Sequence, residues 1–93
     1  MSYSIEYYGA TWCKVCVTVK PALEKLASDF DVNFRNYDID ELEGDTRVEN
    51  IKKVPTVRIY KDNELVQEIV TAHESAVKNT LASVKKVSLT DDF

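Results

Sequence analysis

The spacing of apolar and polar positions changes along the chain, and each change marks an element. Tyr3-Ser4-Ile5-Glu6-Tyr7-Tyr8 is rich in aromatic and β-branched residues and is closed by Gly9, which predicts a strand entering a turn. From Cys16 the apolar positions Cys16, Val19, Leu23, Leu26 and Phe30 recur at alternating intervals of three and four. That is one face of a helix packed on a sheet, running to about Ser28 or Asp29. Pro21 falls inside it, removes a backbone donor and crowds the carbonyl one turn back, so a kink is expected there.

Val32 to Ile39 reads as a second strand, and Thr46 to Ile51 as a short helix before Lys52-Lys53. Pro55 to Tyr60 is a third strand and Leu65 to Val70 a fourth. Lys61-Asp62-Asn63-Glu64 between them has hairpin-turn chemistry, with Asn63 best suited to a positive φ. Thr71-Ala72-His73-Glu74 has the form of a capping box. Val77, Leu81 and Val84 mark one face of a last helix ending near Lys86, where Lys85 and Lys86 suit the negative end of the helix dipole. The tail, from about residue 88 to Phe93, is expected to fray.

Composition narrows the picture. The 93 residues, 44% of them hydrophobic, fit one domain, residues 1–93, with a single modest core. The formal net charge of -4 and the scattered lysines argue against nucleic acid as a partner. No stretch approaches the roughly 20 apolar residues of a membrane span, and the N-terminus has no basic or apolar leader. The expectation is a soluble, cytoplasmic monomer. The acidic stretch from Asp38 to Asp45 lacks the ligand spacing of an EF-hand and reads as a solvated face.

The chemistry gathers in Ala10-Thr11-Trp12-Cys13-Lys14-Val15-Cys16, which holds both cysteines of the chain. A strand that ends in Cys-x-x-Cys and feeds a helix places the first thiol at the helix N-terminus, where free N–H groups and the dipole favour a thiolate. Closing so small a loop restrains the unfolded chain very little, so a structural staple is a poor reading and a reactive pair in a reducing compartment a better one. Half of a zinc site is the alternative. With two cysteines and one histidine, His73, it requires ligands from a second chain. His73 reads as a surface residue and Trp12 as a ring facing substrate.

Trp12-Cys13-x-x-Cys16, Pro21 five residues after the second cysteine, and Val54-Pro55-Thr56 leading into the Tyr60 to Glu64 hairpin together resemble the thioredoxin superfamily, over residues 3 to 87. The resemblance implies an α/β thioredoxin-like fold in its short form, a four-stranded mixed sheet flanked by helices in the order βαβαββα. It implies a protein-disulfide reductase in which Cys13 is the exposed nucleophile and Cys16 the more buried resolving thiol. It also implies a cis bond before Pro55, which brings Val54 and Pro55 against the dithiol and lets the Val54 backbone pair with substrate, beside Trp12. No cofactor is expected to be bound: electrons come from NADPH through a reductase, or from glutathione. Thioredoxin reductase and disulfide proteins such as ribonucleotide reductase are the implied partners.

The sequence also departs from the family pattern. Thioredoxins carry a buried aspartate on the first of these strands that helps the resolving cysteine lose its proton; the matching position here is Tyr7, and alternation points Glu6 to the other face. Lys14-Val15 replaces the Gly-Pro of typical thioredoxins and the Pro-Tyr of typical glutaredoxins. Lys14 is a candidate for stabilising the Cys13 thiolate, against a reading in which it is merely solvated. Two rival functions stand beside the reductase. One is a glutaredoxin-like, glutathione-dependent reductase, although the glycine pair that holds glutathione is missing around Thr71 to Glu74. The other is a thioredoxin-fold binding module or accessory subunit.

Overall fold

The computed structural model describes residues 3–71 and 73–90, the stretch 84–90 by its backbone alone. Elements follow in the order β1 (Tyr3–Gly9), α1 (Lys14–Asp29), β2 (Asn33–Asp38), a single 3-10 turn (Thr46–Val48), β3 (Thr56–Lys61), β4 (Glu64–Val70) and α2 (Glu74–Thr90). Each expected strand and helix is present with ends shifted by a residue or two, except that the short helix contracts to the 3-10 turn and α2 runs on to Thr90. Helix α1 continues unbroken through Pro21. The strands form one sheet in the order β2-β1-β3-β4, with β1 parallel to β2 and antiparallel to β3. A parallel pair cannot be closed by a tight turn, and α1 supplies the crossover.

Alternation along β1 and β3 sorts the sheet into two faces. Ile5 and Tyr7, with their partners Ile59 and Val57, point to the face covered by α1 and α2. There they meet Cys16, Val19, Leu23, Leu26 and Ala27 of α1 and Val77 and Leu81 of α2 in one apolar cluster. Full burial of a side chain such as Leu23 stabilises the fold by roughly 1.5–3 kcal/mol.

Ser4, Glu6 and Tyr8 point the other way, as their alternation requires. On this face Tyr8 stacks on Tyr37 at 5.2 Å, Arg58 lies over the Tyr8 ring at 5.0 Å and Arg47 over Tyr37 at 4.9 Å. The Tyr8 hydroxyl donates to Glu6 at 2.7 Å, and Arg58 donates to Glu68 and to the Arg47 carbonyl, each at 2.8 Å. Asp45, from the acidic stretch, accepts from the Arg47 amide and guanidinium, which hold its carboxyl down to about 2.

One local expectation is corrected. The start of α2 is capped by His73, whose Nδ1 accepts from the Ala76 amide at 3.4 Å, and not by Thr71. Thr71 cannot serve because it follows β4 in the left-handed region at φ 54°, three residues before α2 begins; Ala72, between them, lies outside the described residues, as do residues 91–93 and the side chains of Val84, Lys85 and Lys86. In the hairpin Asn63 takes the expected positive φ, 83°, and Asp62 before it does so too, at 53°. Two consecutive left-handed residues give the turn whose twist matches the flanking strands.

A β-branched residue in the left-handed region is strained, so Thr71→Gly is expected to raise stability by about 1 kcal/mol, read as a shift in the urea midpoint at constant slope. Burial, and then the bond to Glu6, push the Tyr8 phenol above its ordinary value of 10.0, and burial does the same to Tyr7 and Tyr60. These phenols ionise in the unfolded chain before they do in the folded one. Stability is therefore complete below pH 10 and is lost as pH rises above it. Tyr8→Phe should make that alkaline decline shallower in pH-dependent urea titrations.

Candidate functional site

Strand β1 ends at Gly9, and Ala10 to Trp12 turn the chain into α1. Cys13 is the residue at the cap of that helix, with an extended backbone (φ -91°, ψ 110°). Its amide donates to the Ala10 carbonyl at 3.2 Å, closing the turn, and its own carbonyl accepts from Val17 at 3.3 Å, opening the helix. Its sulfur occupies the position where a helix-capping oxygen usually sits: Cys13 Sγ accepts from the Cys16 amide at 3.1 Å. Cys13 and Cys16 are joined as a disulfide, with their Cα atoms 5.2 Å apart.

This geometry has a chemical consequence for the reduced pair. A backbone N–H directed at Cys13 Sγ stabilises negative charge there. The first turn of α1 carries no acidic side chain to offset the positive end of its dipole. Such a terminus contributes typically 0.3–1 kcal/mol, against the roughly 1.4 kcal/mol that corresponds to one pKa unit. Lys14 is exposed on the first residue of α1 and makes no ion pair among the described residues.

Cys13, expected as the exposed thiol, is itself buried with 8% of its surface exposed, because it packs in the core cluster, and Cys16 is more so at 3%. Trp12, at 64%, stands out beside them, with the exposed apolar side chains of Val15 and Val17 on α1. The Val54-Pro55 bond is cis and lies just before β3. Because Tyr8 at the end of β1 pairs with Thr56 at the start of β3, the disulfide and Val54-Pro55 share one end of the sheet. Val54 is half-buried and packs on the same cluster as both cysteines, while Pro55 is buried. The Thr56 hydroxyl closes the bend by donating to the Lys53 carbonyl at 2.6 Å.

One participant was not anticipated. Trp12 Nε1 donates to Asp40 Oδ2 at 2.9 Å, across 28 residues of chain. Asp40 is placed by two further bonds: its amide donates to Asp38 Oδ1 at 2.8 Å, and Ile39 donates to the Gly9 carbonyl at 3.0 Å, tying the end of β2 to the end of β1. The sequence signal was an aspartate two residues past the end of a strand parallel to β1, hidden within a run of carboxylates. Behind the disulfide, on the core side, the Tyr7 hydroxyl donates to the Cys16 carbonyl at 3.3 Å. No group of three or more His, Cys, Asp or Glu side chains able to hold a metal occurs among the described residues.

The chain is similar to known proteins. The thioredoxin family pattern matches residues 2–83. A thioredoxin-like 3-3 protein of Arabidopsis thaliana is 40% identical over 75 residues, covering 80% of this chain and 58% of the plant protein. Thioredoxin-2 of Saccharomyces cerevisiae is 33% identical over 77 residues, covering 82% of this chain and 74% of its own length. The chain thus spans little more than half of the first relative and three quarters of the second. The solved structure of thioredoxin 1 from Thermosipho africanus superposes with a TM-score of 0.83 at 26% identity, over 91% of this chain and 97% of that one.

Trp12 is the only tryptophan, so its fluorescence reports on the contact with Asp40. Asp40→Ala should free the indole, lowering its steady-state anisotropy, while costing at most about 1 kcal/mol of stability because the pair is exposed. An unchanged anisotropy would show that the carboxylate does not hold the ring.

Proposed function

The chain belongs to the thioredoxin family, and on that premise we propose that it is a thiol-disulfide oxidoreductase that reduces protein disulfides through Cys13 and Cys16. The observation that carries the proposal is the Cys13-Cys16 disulfide at the N-terminus of α1, with the Cys16 amide aimed at Cys13 Sγ. In the reduced protein the Cys13 thiolate attacks one sulfur of a substrate disulfide. A Cys13-substrate disulfide forms, and the other substrate sulfur leaves as a thiolate that takes a proton from water. The Cys16 thiol gives up its proton and its sulfur attacks Cys13 Sγ. The Cys13-Cys16 disulfide forms and the substrate departs with both thiols reduced. Two electrons have passed from the dithiol to the substrate, and an external reductant must return them.

In this reading Trp12 and Val54 form the surface that meets an extended substrate segment, the buried Pro55 holds the cis bend behind Val54, and Lys14 adds positive charge near the Cys13 sulfur. The proposed reductant is NADPH acting through a thioredoxin reductase, the proposed compartment the reducing cytoplasm, and the proposed substrates disulfide proteins such as ribonucleotide reductase. Trp12 immediately before the first cysteine, and the relatives named as thioredoxins, support this choice over glutathione.

Two coupled assays of NADPH oxidation test the proposal. One supplies thioredoxin reductase and insulin; the other supplies glutathione, glutathione reductase and a small mixed disulfide. Turnover is expected in the first. Cys13→Ser should abolish it, and Cys16→Ser should leave a Cys13-substrate disulfide that accumulates on non-reducing gels. Turnover in the glutathione assay alone would replace the thioredoxin-type proposal with a glutaredoxin-type one. Biological activity that survives loss of both cysteines would point to a binding module.

A further inference from the structure

Tyr7 sits in the middle of the most deeply buried strand, yet it carries a polar group, and that group lands on the dithiol helix. Its hydroxyl donates to the backbone carbonyl of Cys16 at 3.3 Å, nine residues along the chain. The ring stacks on Phe34 of β2 at a centroid distance of 6.0 Å, which fixes its plane. A second observation concerns Gly9, two residues on and on the same face of β1. A Cβ built there would lie 2.5 Å from the Tyr7 hydroxyl oxygen and 2.8 Å from the two nearest ring carbons. Gly9 does not have the positive φ that demands glycine, so its missing side chain is explained by the space that the phenol occupies. A cavity of about 180 Å³ opens beside the pair, lined in part by Tyr7, Gly9, Cys16, Lys20, Asn36 and Asp38.

We propose that Tyr7 is a positioning residue for the resolving cysteine, acting through its hydrogen bond to the Cys16 carbonyl, and that Gly9 is the space-making partner that lets the hydroxyl reach it. The inference rests on the dithiol chemistry proposed above. Cys13 is held by the turn from Ala10 and by its place at the cap, whereas Cys16 lies within the first turn of α1 and is packed in the core cluster, with the Tyr7 hydroxyl bonded to its carbonyl. A donor anchored in the sheet ties that turn to β1. When a mixed disulfide forms on Cys13, the Cys16 sulfur remains aligned with the bond it must attack. Burial keeps the phenol neutral through the physiological range, so it serves as a donor throughout. The anchor acts on the second, intramolecular step and leaves the first, in which Cys13 captures a disulfide from solution, untouched.

The two steps separate cleanly with Ellman's reagent in a stopped-flow experiment on the reduced full chain. The Cys13 thiolate displaces one thionitrobenzoate, at a rate proportional to reagent concentration, and leaves the other bound to its sulfur. The Cys16 thiol then loses its proton to water and its sulfur attacks Cys13 Sγ, forming the Cys13-Cys16 bond and releasing the second thionitrobenzoate at a concentration-independent rate. The reagent gains the two electrons that the dithiol loses.

Tyr7→Phe is expected to slow the second release about fivefold, as loss of one ordinary hydrogen bond would, and to leave the first within twofold. Gly9→Ala, which keeps the phenol but displaces it, should give the same split, and the double variant should be no slower than the slower single one. Gly9→Ala carries the test alone if Tyr7→Phe does not fold, as judged by circular dichroism. An unchanged second release in a folded variant overturns the inference, as does equal slowing of both phases. Wild-type protein that captures one thionitrobenzoate and never releases the second overturns the dithiol reading itself, and the inference with it.

Discussion

The amide of Cys16, aimed at the sulfur of Cys13 from 3.1 Å, is the contact on which the site depends. It exists because the chain leaves the sheet at Gly9, turns in three residues and begins a helix with a cysteine at the cap. A sulfur there meets backbone donors that lack helical partners, and it meets them at the positive end of a 16-residue helix. The same bond that completes the helix terminus favours a nucleophilic thiolate when the pair is reduced.

The rest of the fold serves that junction. Strand β1 is central, paired on one side with β2 and on the other with β3, so its C-terminal end cannot shift without disturbing both. The parallel pairing brings Asp40 within reach of Trp12, and the antiparallel pairing brings the cis Val54-Pro55 bend to the same edge. Helix α1 lays Val19, Leu23 and Leu26 on the core face, which fixes its direction and with it the direction of its N-terminus. The opposite face is held by Tyr8, Tyr37, Arg47 and Arg58, whose ring stacking and cation-ring contacts take the place of a second aliphatic layer.

Tyr7 and Gly9 show how a departure from a family pattern can be internally consistent. A bulky phenol stands on the core face at Tyr7, and the next residue on that face, Gly9, has no side chain to collide with it. The hydroxyl then donates to a backbone carbonyl of the site, that of Cys16. Buried hydroxyls require such partners, because a phenol left without one in the core would carry its full desolvation cost.

Much of this was readable from the chain alone, for physical reasons that differ by feature. Element type and order followed from local periodicity: Cys16 to Phe30 at helical spacing, and the aromatic and β-branched runs around Ile5, Val57 and Ile69. The dithiol at a helix start was legible because two cysteines so close together, between a strand and a helix, admit few other uses. The contacts between distant segments were not. That Asp40 rather than a neighbouring carboxylate holds Trp12 depends on the register of β2 against β1, which no local pattern encodes. His73 caps α2 because Thr71 is turned into the left-handed region at the end of β4, a conformation its β-branched side chain disfavours and only the surrounding chain imposes. The sequence by itself determined the elements and the reactive pair, since both rest on residues close together along the chain. Only the tertiary structure decided what surrounds that pair, since the meeting of Tyr7 with Cys16, of Gly9 with Tyr7 and of Asp40 with Trp12 is set by strand pairing and packing.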